Sequence, residues 1–93
     1  MYKLFTTKNF RKSLKKYRKS GTFNEEELEC VVKILIAGEV LSLKYRDHKL
    51  SGDMKDFREC HIRPDLLLVY RIIDDKLVLF LSDLGSHPEI FGK

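Results

Sequence analysis

The chain has 93 residues, enough for one domain over residues 1–93 with a modest core, and its 43% apolar content is ordinary for a folded protein. Cys30 and Cys60 make neither a CxxC pair nor a disulfide framework, and no apolar run approaches the ~18 residues of a membrane span. Reduced thiols, a cytoplasmic location and no membrane partner are therefore expected. The net charge of +4 is unevenly spread: residues 1–24 carry eight Lys/Arg and no acid, while the remainder is net acidic. A segment this basic suits phosphates or an acidic protein segment.

Tyr2-Lys-Leu-Phe-Thr6 reads as a short strand, and Thr6 or Thr7 can cap the helix that follows. From Lys8 to Ser20, Phe10, Leu14 and Tyr17 recur at helical spacing and form one narrow apolar stripe, which ends at Ser20-Gly21. Asn24 and Glu27 resemble a capping box. Beyond them Leu28, Val31, Val32, Leu35 and Ile36 give the second helix a broad apolar face that Gly38 stops. The pattern predicts an antiparallel helix pair joined by Gly21 to Phe23.

Helical periodicity is lost from Glu39 to Gly52, where Leu43 to Leu50 reads as a charged loop with a few apolar anchors, closed by a turn at Ser51-Gly-Asp53. Three strands follow, at about Lys55–Ile62, Leu66–Ile73 and Lys76–Leu84, and the short tail holds Ile90 and Phe91 as packed residues. The order β-α-α-β-β-β predicts an α+β domain, an antiparallel sheet with two helices packed on it.

The stretch Arg58 to Tyr70 turns abruptly from ionisable to apolar, as a strand carrying His61, a reversal at Pro64 and a covered central strand would. A two-residue hairpin at Asp74-Asp75 sets Ile73 against Lys76 and Asp65 against Leu84. His61, Asp65 and His87 then meet at one rim of the sheet within roughly 10 Å.

Taken singly, each of the three histidines, His48, His61 and His87, reads as a surface or satisfied side chain; their convergence makes them a site candidate. HxH, HExxH and CxxC spacings are absent, which argues against a metal site, and Ser86 beside His87 lacks a nucleophile elbow. No cofactor or metal is expected. Metal-free RNA cleavage suits the inventory better, since it needs a base for the 2′-hydroxyl, an acid for the departing 5′-oxygen and cations around the phosphate. Imidazole can serve in either proton role near neutral pH. Lys44, Arg46, Lys49, Arg58 and Arg63 are near the histidines in sequence, and Tyr45, Tyr70 and Phe91 can stack on unpaired bases.

Lys44-Tyr-Arg-Asp-His-Lys-Leu50 with Gly52, Arg58-Glu-Cys-His-Ile-Arg-Pro-Asp-Leu-Leu-Leu-Val-Tyr70, and Gly85-Ser-His-Pro-Glu-Ile-Phe91 together resemble the YafQ-type branch of the RelE/ParE toxin superfamily. The resemblance runs from about residue 43 to the end. Upstream, it lies in the strand and two-helix layout. It implies the RelE-like fold and the toxin of a type II toxin–antitoxin pair, an endoribonuclease that cuts mRNA on the ribosome without a metal and is neutralised by a cognate antitoxin. Carried over by position, it implies a catalytic set of His48, His61, Asp65 and His87, with Phe91 positioning the substrate base; Lys44, Arg46 and Arg58 are expected on the substrate from their nearness in sequence to the histidines. His87 would be the acid, His48 or Asp65 the base, and His61 an orienting or charge-stabilising group. ParE-like relatives share the fold, act on DNA gyrase and lack the histidines; a protein-binding module of this kind is the alternative. Leu66 stands where the family often has tryptophan and Asp83 where many relatives have arginine, departures that bear on rate and codon preference.

Overall fold

The computed structural model describes residues 1–21 and 23–92; Thr22, inside the expected helix–helix link, and Lys93 lie outside them. In chain order the elements are β1 (Lys3–Thr6), α1 (Lys8–Lys19), α2 (Glu25–Ile36), β2 (His48–Lys49), β3 (Arg58–Arg63), β4 (Leu66–Ile73), β5 (Val78–Gly85) and α3 (His87–Phe91). The strands form one sheet in the order β1-β5-β4-β3-β2, giving the expected α+β fold.

The helices form where the sequence supplies both a cap and an apolar face. Thr7 accepts a bond from the Phe10 amide at 3.0 Å, and Asn24 accepts one from the Glu26 amide at 3.0 Å. Phe10 from α1, and Leu28, Val31 and Leu35 from α2, are buried against the sheet. Each such side chain contributes about 1.5–3 kcal/mol through the apolar surface it removes from water. Cys60, Ile62, Leu68, Tyr70, Leu79, Leu81 and Leu84 meet them from β3, β4 and β5. Strand alternation then turns Glu59, His61, Leu67, Val69, Arg71, Phe80 and Asp83 to the opposite face.

Several details differ from the expectation. β1 pairs with β5 in parallel, so the sheet is mixed; the two strands are far apart in the chain, with everything from α1 to β4 between them, so no tight turn imposes an antiparallel pair. The Ser51–Asp53 turn extends into a 3-10 turn over Gly52–Met54, with Gly52 at φ 64°, and β3 therefore starts at Arg58 instead of Lys55. The two-residue hairpin is replaced by a 3-10 turn at Asp74–Lys76 and a left-handed Leu77, so Ile73 pairs with Val78 and not with Lys76. The expected pairing of Asp65 with Leu84 is also wrong: Leu84 faces Leu68, because the longer turn and a bulge at Ser82 both move the register. At that bulge the Ser82 carbonyl accepts a bond from the Thr7 hydroxyl at 2.6 Å. The tail is not irregular either. Ser86 and Glu89 make a reciprocal capping box with Pro88 in the first turn, and this creates α3.

Candidate active site

β2 and β3 pair His48 with Glu59 across the sheet, and His61 lies two residues beyond Glu59 on the same face. The Glu59 carboxylate is buried, yet one oxygen, Oε1, lies 3.6 Å from His48 Nε2 and 3.5 Å from His61 Nε2. These are charge–charge distances, longer than a direct hydrogen bond. The two imidazole rings stand 6.4 Å apart. Glu59 thus offers one negative charge to whichever imidazole becomes protonated.

His48 has a defined tautomer. Its Nδ1 is 2.8 Å from the Arg46 carbonyl, which can only accept, so Nδ1 carries the hydrogen and Nε2 of the neutral ring keeps its lone pair. Arg46 itself is left-handed, at φ 51°, a conformation that costs a non-glycine residue energy and closes the turn against His48. His61 is more enclosed. Its Nδ1 is buried and without a protein partner among the described residues.

The hollow beside this pair is lined by His48, Leu50, Met54, Glu59, His87 and Phe91. α3 brings the last two: the His87 and Phe91 rings are 4.8 Å apart, one helical turn from each other. Glu89 ties α3 to α1, accepting from Lys16 Nζ at 2.6 Å, from the Tyr17 hydroxyl and from the Ser86 amide at 2.8 Å. The Lys16 ammonium, followed by the Ser86 amide and the Tyr17 hydroxyl, holds the Glu89 carboxyl down at about 2. Burial and this same carboxylate push the Tyr17 phenol up to about 12.

His48, His61 and His87 are thus brought to one region around Glu59. Asp65 is exposed at the β3–β4 turn, in a hollow with Tyr17, Phe23, Arg63 and Ser86 that shares no lining residue with the hollow of His48 and His87. Lys44 and Arg46 line a third hollow together with His61, and Lys44 Nζ sits 5.0 Å from the Tyr45 ring centre. Arg58 points away from Glu59. It pairs with Asp47 at 2.8 Å on the helix-facing side, where Asp47 also accepts from the Tyr70 hydroxyl. That Asp47 contact raises the Arg58 guanidinium further above its ordinary value. Glu59 was not anticipated as a site residue. Its signal was the alternation itself: with Cys60 and Ile62 apolar on one side of β3, Glu59 and His61 must share the other.

The model for "Bacterial toxin of type II toxin-antitoxin system, YafQ" matches residues 2–92. The chain belongs to the YafQ toxin family. It is 42% identical over 48 residues to an mRNA interferase toxin YafQ of Escherichia coli K12, a stretch that spans 52% of this chain and 50% of that protein. The chain therefore aligns with about half the length of this curated relative. Solved structures align more fully. A metal-bound toxin from Helicobacter pylori is 48% identical with TM-score 0.91, over 98% of this chain and 100% of that one. The toxin fold of the E. coli DinJ–YafQ complex gives 27% identity and TM-score 0.89 over 99% and 100%. Among the described residues of the present chain, no three His, Cys, Asp or Glu side chains are grouped to hold a metal ion. No helix among them is long and apolar enough to cross a membrane.

Proposed function

We propose that this YafQ-family toxin is a metal-independent endoribonuclease that cuts mRNA on the ribosome in the cytoplasm and is neutralised by a cognate antitoxin. The observation that carries the reading is the hollow that His48, His87 and the buried Glu59 line together. His48 Nε2, the lone-pair nitrogen of the neutral ring whose Nδ1 binds the Arg46 carbonyl, removes the proton of a ribose 2′-hydroxyl. The 2′-oxygen attacks the adjacent phosphorus, and His87 gives its proton to the departing 5′-oxygen. The products are a 2′,3′-cyclic phosphate and a free 5′-hydroxyl. Glu59 stabilises the imidazolium formed at His48, with His61 beside the same carboxylate oxygen. Phe91, against His87, packs on the base. Lys44 and Arg46 take flanking phosphates, whereas Arg58 fixes the loop through Asp47. Of the two bases expected from the sequence, His48 is assigned the proton transfer and Asp65, in its separate hollow, is not.

The test is incubation of the purified chain with mRNA, free and on translating ribosomes, with and without EDTA, beside His87→Ala. Cleavage should persist in EDTA and fall by about 10²- to 10⁴-fold in the variant. Loss in EDTA overturns the metal-independent mechanism. No cleavage even on ribosomes overturns the enzyme and leaves a protein-binding toxin.

A further inference from the structure

The face of the sheet that carries Glu59 and His61 continues past them as a row of rings. Phe5 of β1 and Phe80 of β5 are cross-strand partners with centroids 5.7 Å apart, tilted by 34°. Phe80 in turn pairs with Arg71 of β4, whose guanidinium lies 6.0 Å from the ring centre of Phe57, the residue before β3. The neighbours Tyr70, Leu79 and Leu81 belong to the core under the helices, so the row is on the opposite face. None of the four is fully buried, and Phe5 is 43% exposed. Arg71 is two residues along β4 from Val69, which pairs with Glu59; the row therefore lies about 7 Å from the His48–Glu59 pair along the strands.

We propose that Phe57, Arg71, Phe80 and Phe5 form a stacking platform for unpaired bases of the RNA strand flanking the cleaved linkage. The proposal rests on the ribonuclease reading and extends that site across the open face. A partly exposed aromatic row, with Phe5 open and Phe57 and Phe80 half-covered, is costly to leave in water, and every base has a π-face able to cover it without sequence preference. Arg71 stands within the row and Lys3 in the adjacent row opposite Val78, so cations lie on and beyond the platform; the carboxylates of this face, Glu59 and Asp83, stand in the row on the cleavage side, where an RNA strand would meet the histidines. Continuity with the cleavage site supplies the strand that would lie there.

The chain has no tryptophan, so Phe80→Trp places a sole indole in the row. Its emission should be quenched by an uncleavable 2′-O-methyl RNA of about ten nucleotides, and little by a trinucleotide that fills only the cleavage site. Phe5→Ala/Phe80→Ala should weaken the longer oligomer by about 5- to 150-fold and leave the trinucleotide unaffected. The bulk-preserving tryptophan variant, which should retain affinity, controls for misfolding. If the wild type binds both oligomers and the double variant matches it, the platform is wrong and the ribonuclease reading stands. A double variant that loses only a protein partner overturns the platform in favour of a protein-docking face. If the wild type binds neither oligomer and cuts no RNA, both fall.

Discussion

Replacing Glu59 by glutamine keeps the side chain's shape while removing the charge that faces both His48 and His61. On the proposed mechanism, single-turnover cleavage of a short RNA should slow by about 10- to 100-fold with an unchanged circular dichroism spectrum; an unaltered rate would remove Glu59 from the mechanism. The two cysteines offer a second check. Burial, reinforced by the nearby Asp47 and Glu59 charges, pushes the Cys60 thiol up to about 12, and only a thiolate reacts; Cys30 is exposed. Ellman's reagent should modify Cys30 alone in the native protein and both after denaturation. The histidines and Phe91 were legible because they sit in spaced motifs. Glu59 was not, because it becomes visible only when β3 is divided into two faces, and Asp65 was drawn toward the rim by a register three residues too short there, two from the turn and one from the bulge.

At the level of elements, α3 depends on Glu89, which caps it and binds it to α1. Glu89→Ala should cost about 0.5–2 kcal/mol of local capping and reduce cleavage more than it lowers the melting temperature, since it releases His87. A folded-state value near 2 lies below the ordinary carboxylate value of 4.5, so the contribution is fully present above that value and is lost as pH falls from there toward 2. The pair is largely solvated, which keeps the effect on global stability small. His87 ring resonances should report the release in that window for the wild type and show no such step in Glu89→Ala. The two long helices were readable from caps and 3.6-residue spacing. The capping box of α3 was equally readable in Ser86-His-Pro-Glu89, but lay in a stretch taken as a tail. The hairpin was misread because a turn with a left-handed Leu77 leaves no glycine to announce it.

Across the whole molecule, stability resides where both layers meet. Leu68 is completely buried in that core, and Leu68→Ala should cost about 2–5 kcal/mol in urea unfolding, a loss below 1 kcal/mol arguing for a looser core than described. On its outer side α1 exposes Lys8, Lys12, Lys15 and Lys19 at one helical stripe, while Lys16 is tied to Glu89 and Arg18 to Glu25. If that stripe docks on ribosomal RNA, each lysine removed should lower the slope of log affinity against log salt by about 0.7–0.9 without slowing cleavage of a short free RNA. Equal losses in both assays would refute the division. The strand and helix order could be read off the chain, but the parallel edge pair could not, since nothing local in β1 distinguishes one strand direction from the other. The core spacing Leu79, Leu81, Leu84 did carry a break of phase, and Ser82 is the residue that absorbs it. Excising Ser82 would close the ladder into a plain ribbon with Leu84 still opposite Leu68 and those three leucines still inside, but it would remove the bulge whose carbonyl holds the Thr7 hydroxyl. Such a protein would be tidier and less firmly buckled: the irregularity behaves as a peg on which the start of α1 hangs, so smoother pairing would loosen the helix layer while leaving the leucines in place.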